Sequence, residues 1–306
     1  MKYYRILEEF GDKHLCVQTN EKEIVSLTSI NDLVLDYKSL LETSNITGLK
    51  VDEITKDLLK SKQGRTFDLN KLIDDSMNKK GSARIIKPIE PDEMWAEGFG
   101  NRLILTEDQI RESSDDSLIP FQNPNISTLL YKGSNNRLVG PYENIGVRSD
   151  TEKTISEGEI IFIIYKGKFV GISVGNEVAG NLRAQSQFWV SPSKVFKRCA
   201  SIGPCILSME DEEENSMPIR LKLEINQYRN NKLIAEGSII SDFKLSPNDI
   251  VSATTAHDSP PDLVIQYSGG FAIARNDGDI IPLEDGDTVK IGLENVGFVQ
   301  NKVEIV

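Results

Sequence analysis

Histidine is almost absent from this 306-residue chain: only His14 and His257 occur. A Ser-His-Asp triad or a His-rich zinc site is hard to build from two such residues, and a surface or capping place suits each of them better. No glycine-rich loop follows a strand and opens a helix, which leaves nucleotide binding without support. Carboxylates remain as the chemistry-bearing groups. Glu157-Gly158-Glu159 opens one strand-like run, and Glu177 follows the next, in Gly175-Asn176-Glu177. Side chains two apart on an extended backbone point to the same side, and a neighbouring strand can bring a third carboxylate to face them. Three carboxylates around one point repel each other unless a cation sits there. Hard oxygen donors of this kind select Mg²⁺, Mn²⁺ or Ca²⁺. Spacing alone leaves the alternative open that these glutamates are simply exposed beside a turn.

The elements that must position them are mostly strands. Glu159–Tyr165 and Lys168–Val174 read as β-runs joined by the turn Lys166-Gly167. Ile219–Ile225 and Lys232–Ile239 predict a hairpin around Arg229-Asn230-Asn231, and Asp262–Tyr267 and Thr288–Leu293 add two more strands. Ser246 at a cap with Pro247 at the first helical position predicts a helix running into Ile250 and Val251. Strands without regular helical crossovers argue against a doubly wound sheet. The beginning of the chain has a different texture. Strands are expected at Tyr3–Phe10 and His14–Thr19, and helices at Asp32–Leu41, Val51–Leu59 and Phe67–Met77. A boundary near Lys79-Lys80-Gly81-Ser82 divides a small module, 1–82, from a larger strand-rich domain, 83–306. The fold class is therefore α+β, mostly β. The acidic run Glu210-Asp211-Glu212-Glu213-Glu214-Asn215 reads as a solvated loop.

Composition narrows the partners. Hydrophobic residues make up 39% and charged residues 27%, an ordinary globular balance. A net charge of −12 repels phosphate backbones and anionic membranes, so neither nucleic acid nor membrane is an expected partner. A small anionic ligand would need a local positive feature, a metal ion or a lysine. The apolar run Ile160–Tyr165 is far too short to span a bilayer. The start of the chain meets Glu8-Glu9 without a signal-like apolar region, and the expected location is the cytoplasm. Three cysteines, Cys16, Cys199 and Cys205, fit a reducing compartment and read as small buried hydrophobes.

An ordered series of segments from about Lys87 to the C-terminus resembles the catalytic domain of the fumarylacetoacetate hydrolase family. It begins with Lys87-Pro88-Ile89-Glu90-Pro91-Asp92-Glu93-Met94-Trp95-Ala96, then Leu130-Tyr131-Lys132, Val139-Gly140-Pro141 and Ile145-Gly146-Val147-Arg148-Ser149-Asp150. Glu157-Gly158-Glu159, Gly171 to Glu177, Ser191-Pro192-Ser193-Lys194 and Ile202-Gly203-Pro204-Cys205 follow, and Leu283-Glu284-Asp285-Gly286-Asp287 and Gly297 look like the closing strands. The arrangement is most similar to the 2-keto-3-deoxy-arabinonate dehydratase-like branch. The resemblance implies a distorted β-roll and a metal held by a Glu-x-Glu pair plus an Asp. Here these positions carry Glu157, Glu159 and Glu177, the last keeping the charge on a side chain one methylene longer. It also implies a lysine near the substrate, matched by Lys194, and a homodimer.

Other positions depart from the family pattern. Val178-Ala179-Gly180-Asn181-Leu182-Arg183 stands where a Ser-Arg-Asp segment is usual, and Ser268-Gly269-Gly270 stands where a carboxylate-binding Gly-Thr-Gly is usual. Asn125 and Thr128 take the place of an acidic pair. The function implied is a divalent-metal-dependent lyase or hydrolase of a small 2-oxo acid, such as a 2-keto-3-deoxy sugar acid or an acylpyruvate, working through a metal-stabilised enolate. Mg²⁺ is the expected cofactor, with Mn²⁺ or Ca²⁺ as alternatives. Lys194 is the expected catalytic group, and Lys132, Arg148 and Ser268 are expected to bind the anionic substrate. The alternative is a catalytically impaired family member that serves as a binding or interaction protein, which the altered Ser-Arg-Asp and Gly-Thr-Gly segments favour.

Overall fold

The computed structural model of the chain describes residues 1–97, 129–151, 153–181, 190–217, 219–241 and 246–306. It opens with three antiparallel strands, β1 (Lys2–Glu8), β2 (Lys13–Asn20) and β3 (Glu23–Ser26). Helices α1 (Tyr37–Thr47) and α2 (Val51–Ser61), the short β4 (Thr66–Asp68), α3 (Leu69–Asn78) and β5 (Ala83–Ile86) follow. Next come β6 (Glu93–Glu97), β7 (Leu129–Gly133), β8 (Leu138–Val139) and β9 (Ile145–Val147). A long hairpin, β10 (Lys153–Tyr165) and β11 (Lys168–Asn181), leads to a single turn of helix, α4 (Val190–Lys194), and to β12 (Ala200–Ser208). The rest comprises α5 (Glu212–Asn215), the hairpin β13 (Lys222–Arg229) and β14 (Lys232–Ile240), and α6 (Pro247–Thr255). It ends in β15 (Leu263–Ala272), β16 (Arg275–Asn276), β17 (Asp279–Ile280), β18 (Thr288–Leu293) and β19 (Gly297–Ile305).

Among the described residues these strands form two sheets. The larger runs β4-β3-β2-β1-β12-β11-β10-β15-β6-β7, with β5 on β1 and β8 on β12; the smaller runs β17-β16-β14-β13-β18-β19-β9. The chain is thus mostly β with a few helices, as the sequence predicts. The N-terminal strands enter the larger sheet directly, because Tyr3 and Tyr4 pair with Ile206 and Cys205 of β12. No helix among the described residues is long and apolar enough to cross a membrane.

The β10–β11 hairpin is the centre of the molecule. Its run Ile160–Tyr165 is buried throughout, the pattern of a strand covered on both faces. The turn is set by Lys166 and Gly167, whose φ values of 48° and 70° are the left-handed pair of a two-residue hairpin turn. The smaller sheet lies close against β10: a Cβ on Gly158 would stand 2.9 Å from Cγ2 of Ile291 in β18. On β11, Gly175 lets β12 approach, since a Cβ there would run into the Ser201 carbonyl oxygen and come within 2.5 Å of Ile161 Cδ1.

Several sequence expectations shift. The first helix starts at Tyr37, not Asp32: Asp36 caps it, its carboxylate accepting from the Ser39 amide while Ser39 reciprocates. Leu33 and Leu35, whose positions within Asp32–Leu41 suggest an apolar helical face, lie exposed ahead of that cap. Phe67 belongs to β4, and α3 begins after the Asp68 cap. The acidic run is not simply a solvated loop. Glu212–Asn215 forms the turn α5, Asn215 is buried, and Glu210 accepts the Asp52 amide at the start of α2. The helix at Pro247 has its Ser246–Asp249 capping box as expected. All three cysteines are free and buried, and burial pushes the Cys205 thiol up to about 12, so it stays protonated and inert.

Candidate metal centre

Strand register brings the three carboxylates together. Glu157 and Glu159 sit two apart on β10, and Glu177 pairs directly with Glu157 across the hairpin. Each offers a carboxylate oxygen, and these oxygens lie within 4.8 Å of one another. The side chains are not exposed beside a turn; Glu159 and Glu177 are 2% and 1% exposed. The donor set is all oxygen and all anionic, which fits a hard divalent cation.

Two ammonium groups answer this charge. Lys194, at the end of α4, donates to Glu157 Oε2 at 2.9 Å and also to Glu177 Oε2. Lys132, on β7, forms an ion pair with Glu177 Oε1 and donates to the Val178 carbonyl at 2.7 Å. Glu159 has a different partner, the Gly269 amide, which donates to its Oε2 at 2.7 Å. That amide is aimed inward where β15 shifts register against β10, and Gly269 holds a φ of 66° there, a conformation that favours glycine.

Electrostatics separates the three acids. Burial pushes Glu157 up to about 8, with Glu177 adding to the rise and Lys194 opposing it. Burial, then Glu177 and Glu157, hold Glu159 well above the ordinary carboxylate range. Burial also acts on Glu177, but the Lys132 and Lys194 ammoniums outweigh it and bring that carboxyl down to about 2. Lys194 loses by burial and gains more from Glu157 and Glu177, so its ammonium is held well above the lysine range. Two neighbouring acids that keep their protons near neutrality mark a site supplied with more negative charge than its lysines offset, which is the condition a divalent cation relieves.

The sequence expects Lys132, Arg148 and Ser268 around a substrate. Lys132 is fully buried against Glu177. Arg148 pairs with Asp150 at 2.6 and 2.8 Å and donates to the Pro192 carbonyl at 3.3 Å, bracing the turn that carries Lys194. Ser268 is 3% exposed, stands next to the Gly269 amide on Glu159, and its Oγ has no hydrogen-bond partner among the described residues. Asn125, Thr128, Leu182 and Arg183 lie outside the described residues. His14 is held between Glu8 and Ser26, far along β2 from the carboxylates in the strand order, and His257 is exposed. Sequence reasoning missed the Gly269 amide and the inward role of Lys132. The only signals were a Gly-Gly pair in a β-run and a lysine in an otherwise uncharged strand segment.

Comparison with known proteins bears on family and fold. The sequence model described as Fumarylacetoacetate (FAA) hydrolase C-terminal matches residues 106–304. The chain is 25% identical over 306 residues to "Probable 2-keto-3-deoxyxylonate dehydratase" of Haloferax volcanii, covering 99% of this chain and 100% of that one. It is 29% identical over 228 residues to 2-dehydro-3-deoxy-D-arabinonate dehydratase of Saccharolobus solfataricus, covering 72% and 74%. Among solved structures, 2-keto-3-deoxy-D-arabinonate dehydratase complexed with magnesium and 2,5-dioxopentanoate superposes with a TM-score of 0.75 at 22% identity, covering 100% of this chain and 99% of that one. A maleylpyruvate hydrolase from Sphingobium has a TM-score of 0.63 at 14% identity, covering 100% of both chains. These two share the fold.

Proposed function

The chain belongs to the fumarylacetoacetate hydrolase family, and from that premise we propose that it is a divalent-metal-dependent lyase or hydrolase of a small 2-oxo acid, with a 2-keto-3-deoxy sugar acid as the favoured substrate class. The observation that carries this is the convergence of three buried carboxylates with a lysine among them. The relatives named for dehydration of 2-keto-3-deoxy acids support the substrate class.

Glu157, Glu159 and Glu177 would hold Mg²⁺, or Mn²⁺ in its place. A bound divalent cation supplies Lewis acidity, polarising the 2-oxo group and offsetting the negative charge that develops when the C3 proton leaves. The chain's own residues do the rest. Lys194 holds a proton at its Nζ, and among the described residues it is the one cluster cation with some exposure, its side chain being 21% accessible. Once its carboxylate partners are engaged elsewhere, its ammonium can face the developing oxyanion or exchange a proton with the substrate. Ser268 Oγ supplies a buried hydroxyl free for a substrate oxygen. Arg148, by bracing Pro192, fixes the approach of Lys194, and Lys132, buried on Glu177, acts on the cluster and not on an incoming substrate. Action in the cytoplasm as a homodimer belongs to the same proposal, and a sedimentation mass of one 34.2 kDa chain would remove the dimer from it.

The test is calorimetric titration with Mg²⁺ followed by turnover of 2-keto-3-deoxy acids and acylpyruvates. Mg²⁺ should raise the melting temperature of the parent by mass action. Glu157→Ala and Glu159→Ala should abolish that rise, whereas Glu177→Asp, which keeps the charge, should retain it. Unchanged metal binding in both alanine variants would place the site elsewhere. A second reading, a non-catalytic binding protein, is favoured by the two lysines that already neutralise Glu177 without a cation; Mg²⁺ binding without turnover of any candidate would select it.

A further inference from the structure

The two lysines of the cluster are not equivalent. Lys194 is partly accessible and comes from a single turn of helix. Lys132 has zero exposure, lies on a strand of the larger sheet, donates to the Val178 carbonyl at 2.7 Å, and has its ammonium 5.7 Å from the Phe196 ring centroid. The Phe196 ring is itself buried, and Cys199 Sγ reaches the Lys132 carbonyl at 3.8 Å. An incoming cation can displace Lys194 toward solvent. Lys132 is far harder to displace, being fully buried and held by the Val178 carbonyl as well as by Glu177.

The consequence falls on Glu177. Its Oε1 remains with Lys132, so only Oε2, the oxygen now shared with Lys194, is available to a cation. Glu159 is biased more weakly, its Oε2 accepting the Gly269 amide with one lone pair and its Oε1 left without that donor. Glu177 is thus held to one available oxygen by a buried ammonium, and the Gly269 amide biases Glu159 in the same direction. Ca²⁺ takes six to eight oxygens and commonly draws both from a carboxylate, whereas Mg²⁺ requires a tight octahedron and is content with single oxygens.

We propose that Lys132 is a positioning residue that keeps Glu177 a one-oxygen ligand and so sets the preference of this site for small six-coordinate cations, Mg²⁺ or Mn²⁺, over Ca²⁺. This rests on the proposed metal centre at Glu157, Glu159 and Glu177. Removing the ammonium has two separable effects. Loss of one positive charge strengthens binding of every divalent cation alike, and release of Oε1 favours Ca²⁺ selectively. The ratio of the two affinities therefore isolates the positioning role from charge and from general damage.

The experiment is calorimetric titration of the parent and of Lys132→Met with MgCl₂ and, separately, CaCl₂. The parent should bind Mg²⁺ more tightly than Ca²⁺. In Lys132→Met the ratio should move toward Ca²⁺ by about 10-fold, the scale on which partners of ligating groups act. An unchanged ratio overturns the role of Lys132 and leaves the metal centre standing. No binding of either ion by the parent overturns both. Because Lys132→Met leaves a buried carboxylate short of a partner and can fail to fold, a crystal of the parent soaked in CaCl₂ gives an independent answer. One Glu177 oxygen on the ion and the other on Lys132 supports the proposal; both oxygens on the ion overturn it.

Discussion

At the scale of single residues, the proposed metal centre would couple protons to cations. Glu157, raised to about 8, and Glu159, held well above the ordinary carboxylate range, keep protons at neutral pH that a bound cation would have to displace. Mg²⁺ affinity should therefore rise with pH through about 8, with proton release visible as a titration heat that depends on the ionisation enthalpy of the buffer. The stability of the metal-free protein runs the other way. An acid whose folded value lies above its ordinary 4.5 contributes stability that is complete below that value and is lost as pH rises through about 8. Glu177, brought down to about 2, contributes stability present above the ordinary value and lost only as pH falls through about 2. The melting-point rise on adding Mg²⁺ should consequently be larger at pH 9 than at pH 6, and a larger rise at pH 6 would contradict this protonation pattern. Lys194 makes a sharper kinetic prediction. Lys194→Ala should keep Mg²⁺ binding, since it removes a competitor from Glu157 and Glu177, while turnover of any 2-oxo acid falls by roughly 100-fold or more. Lys194→Arg should fail as well, being bulkier and unable to shed a proton near neutral pH; full activity of either variant would remove Lys194 from the chemistry. The carboxylates were legible as a pair plus one because strand alternation is a local rule. The partner of Glu177 was not legible, because which lysine reaches it depends on β7 lying across the sheet from β11, which no local pattern encodes.

At the scale of elements, the site depends on how closely β11 and β12 approach. Gly175 lies two residues before Glu177 and permits that approach. Gly175→Ala should separate the two strands at the Ser201 carbonyl, cost about 1–3 kcal/mol of stability or more, and weaken Mg²⁺ binding together with it. Gly292→Ala is the matching control, because the nearest atoms to its Cβ stand at 3.9 Å; thermal unfolding that ranks the two variants equally would refute the role given to the close approach. Legibility here followed turn chemistry. Lys166-Gly167 and Asn230-Asn231 both adopt the left-handed conformations expected of their hairpins. The strand Ala200–Ser208 escaped notice because Gly203-Pro204 interrupts its pattern, and a proline inside a sheet is tolerated only where pairing is already irregular. That irregularity is present, as a register shift between Ile172 and Val174 of the neighbouring strand. The first helix starts later than the sequence predicts because Leu33 and Leu35 imitate an apolar face, whereas the Asp36–Ser39 capping box fixes the start.

For the whole molecule, the boundary near residue 82 separates textures more than it separates sheets. β1 continues the larger sheet through Lys2, Tyr3 and Tyr4 against Leu207, Ile206 and Cys205, and Tyr37 of α1 donates to the Val170 carbonyl of β11. Deletion of residues 1–82 should uncover the β12 edge and its apolar side chains, giving a chain 83–306 that associates or aggregates. Calorimetry of the intact protein should show one unfolding transition. A soluble, monomeric fragment with intact Mg²⁺ binding would show instead that the module is dispensable. The mostly β class was readable from composition and run lengths, but the pairing of the first strand with the twelfth was not, since strand partners far apart in sequence leave no periodic trace.

The hairpin that carries the three acids also constrains the order in which the chain assembles. Glu157 and Glu177 face each other directly across it, and like charges in that position oppose pairing. Their relief comes from Lys132 and Lys194, which lie outside the hairpin. The other end has no such conflict: the Lys166-Gly167 turn and the Ile160–Tyr165 run favour closure from the tip. The hairpin is accordingly expected to zip from the turn inward, with the acidic end pairing only once distant segments dock; φ-values higher at Ile163 and Ile164 than at the Glu157–Glu177 end would check this order.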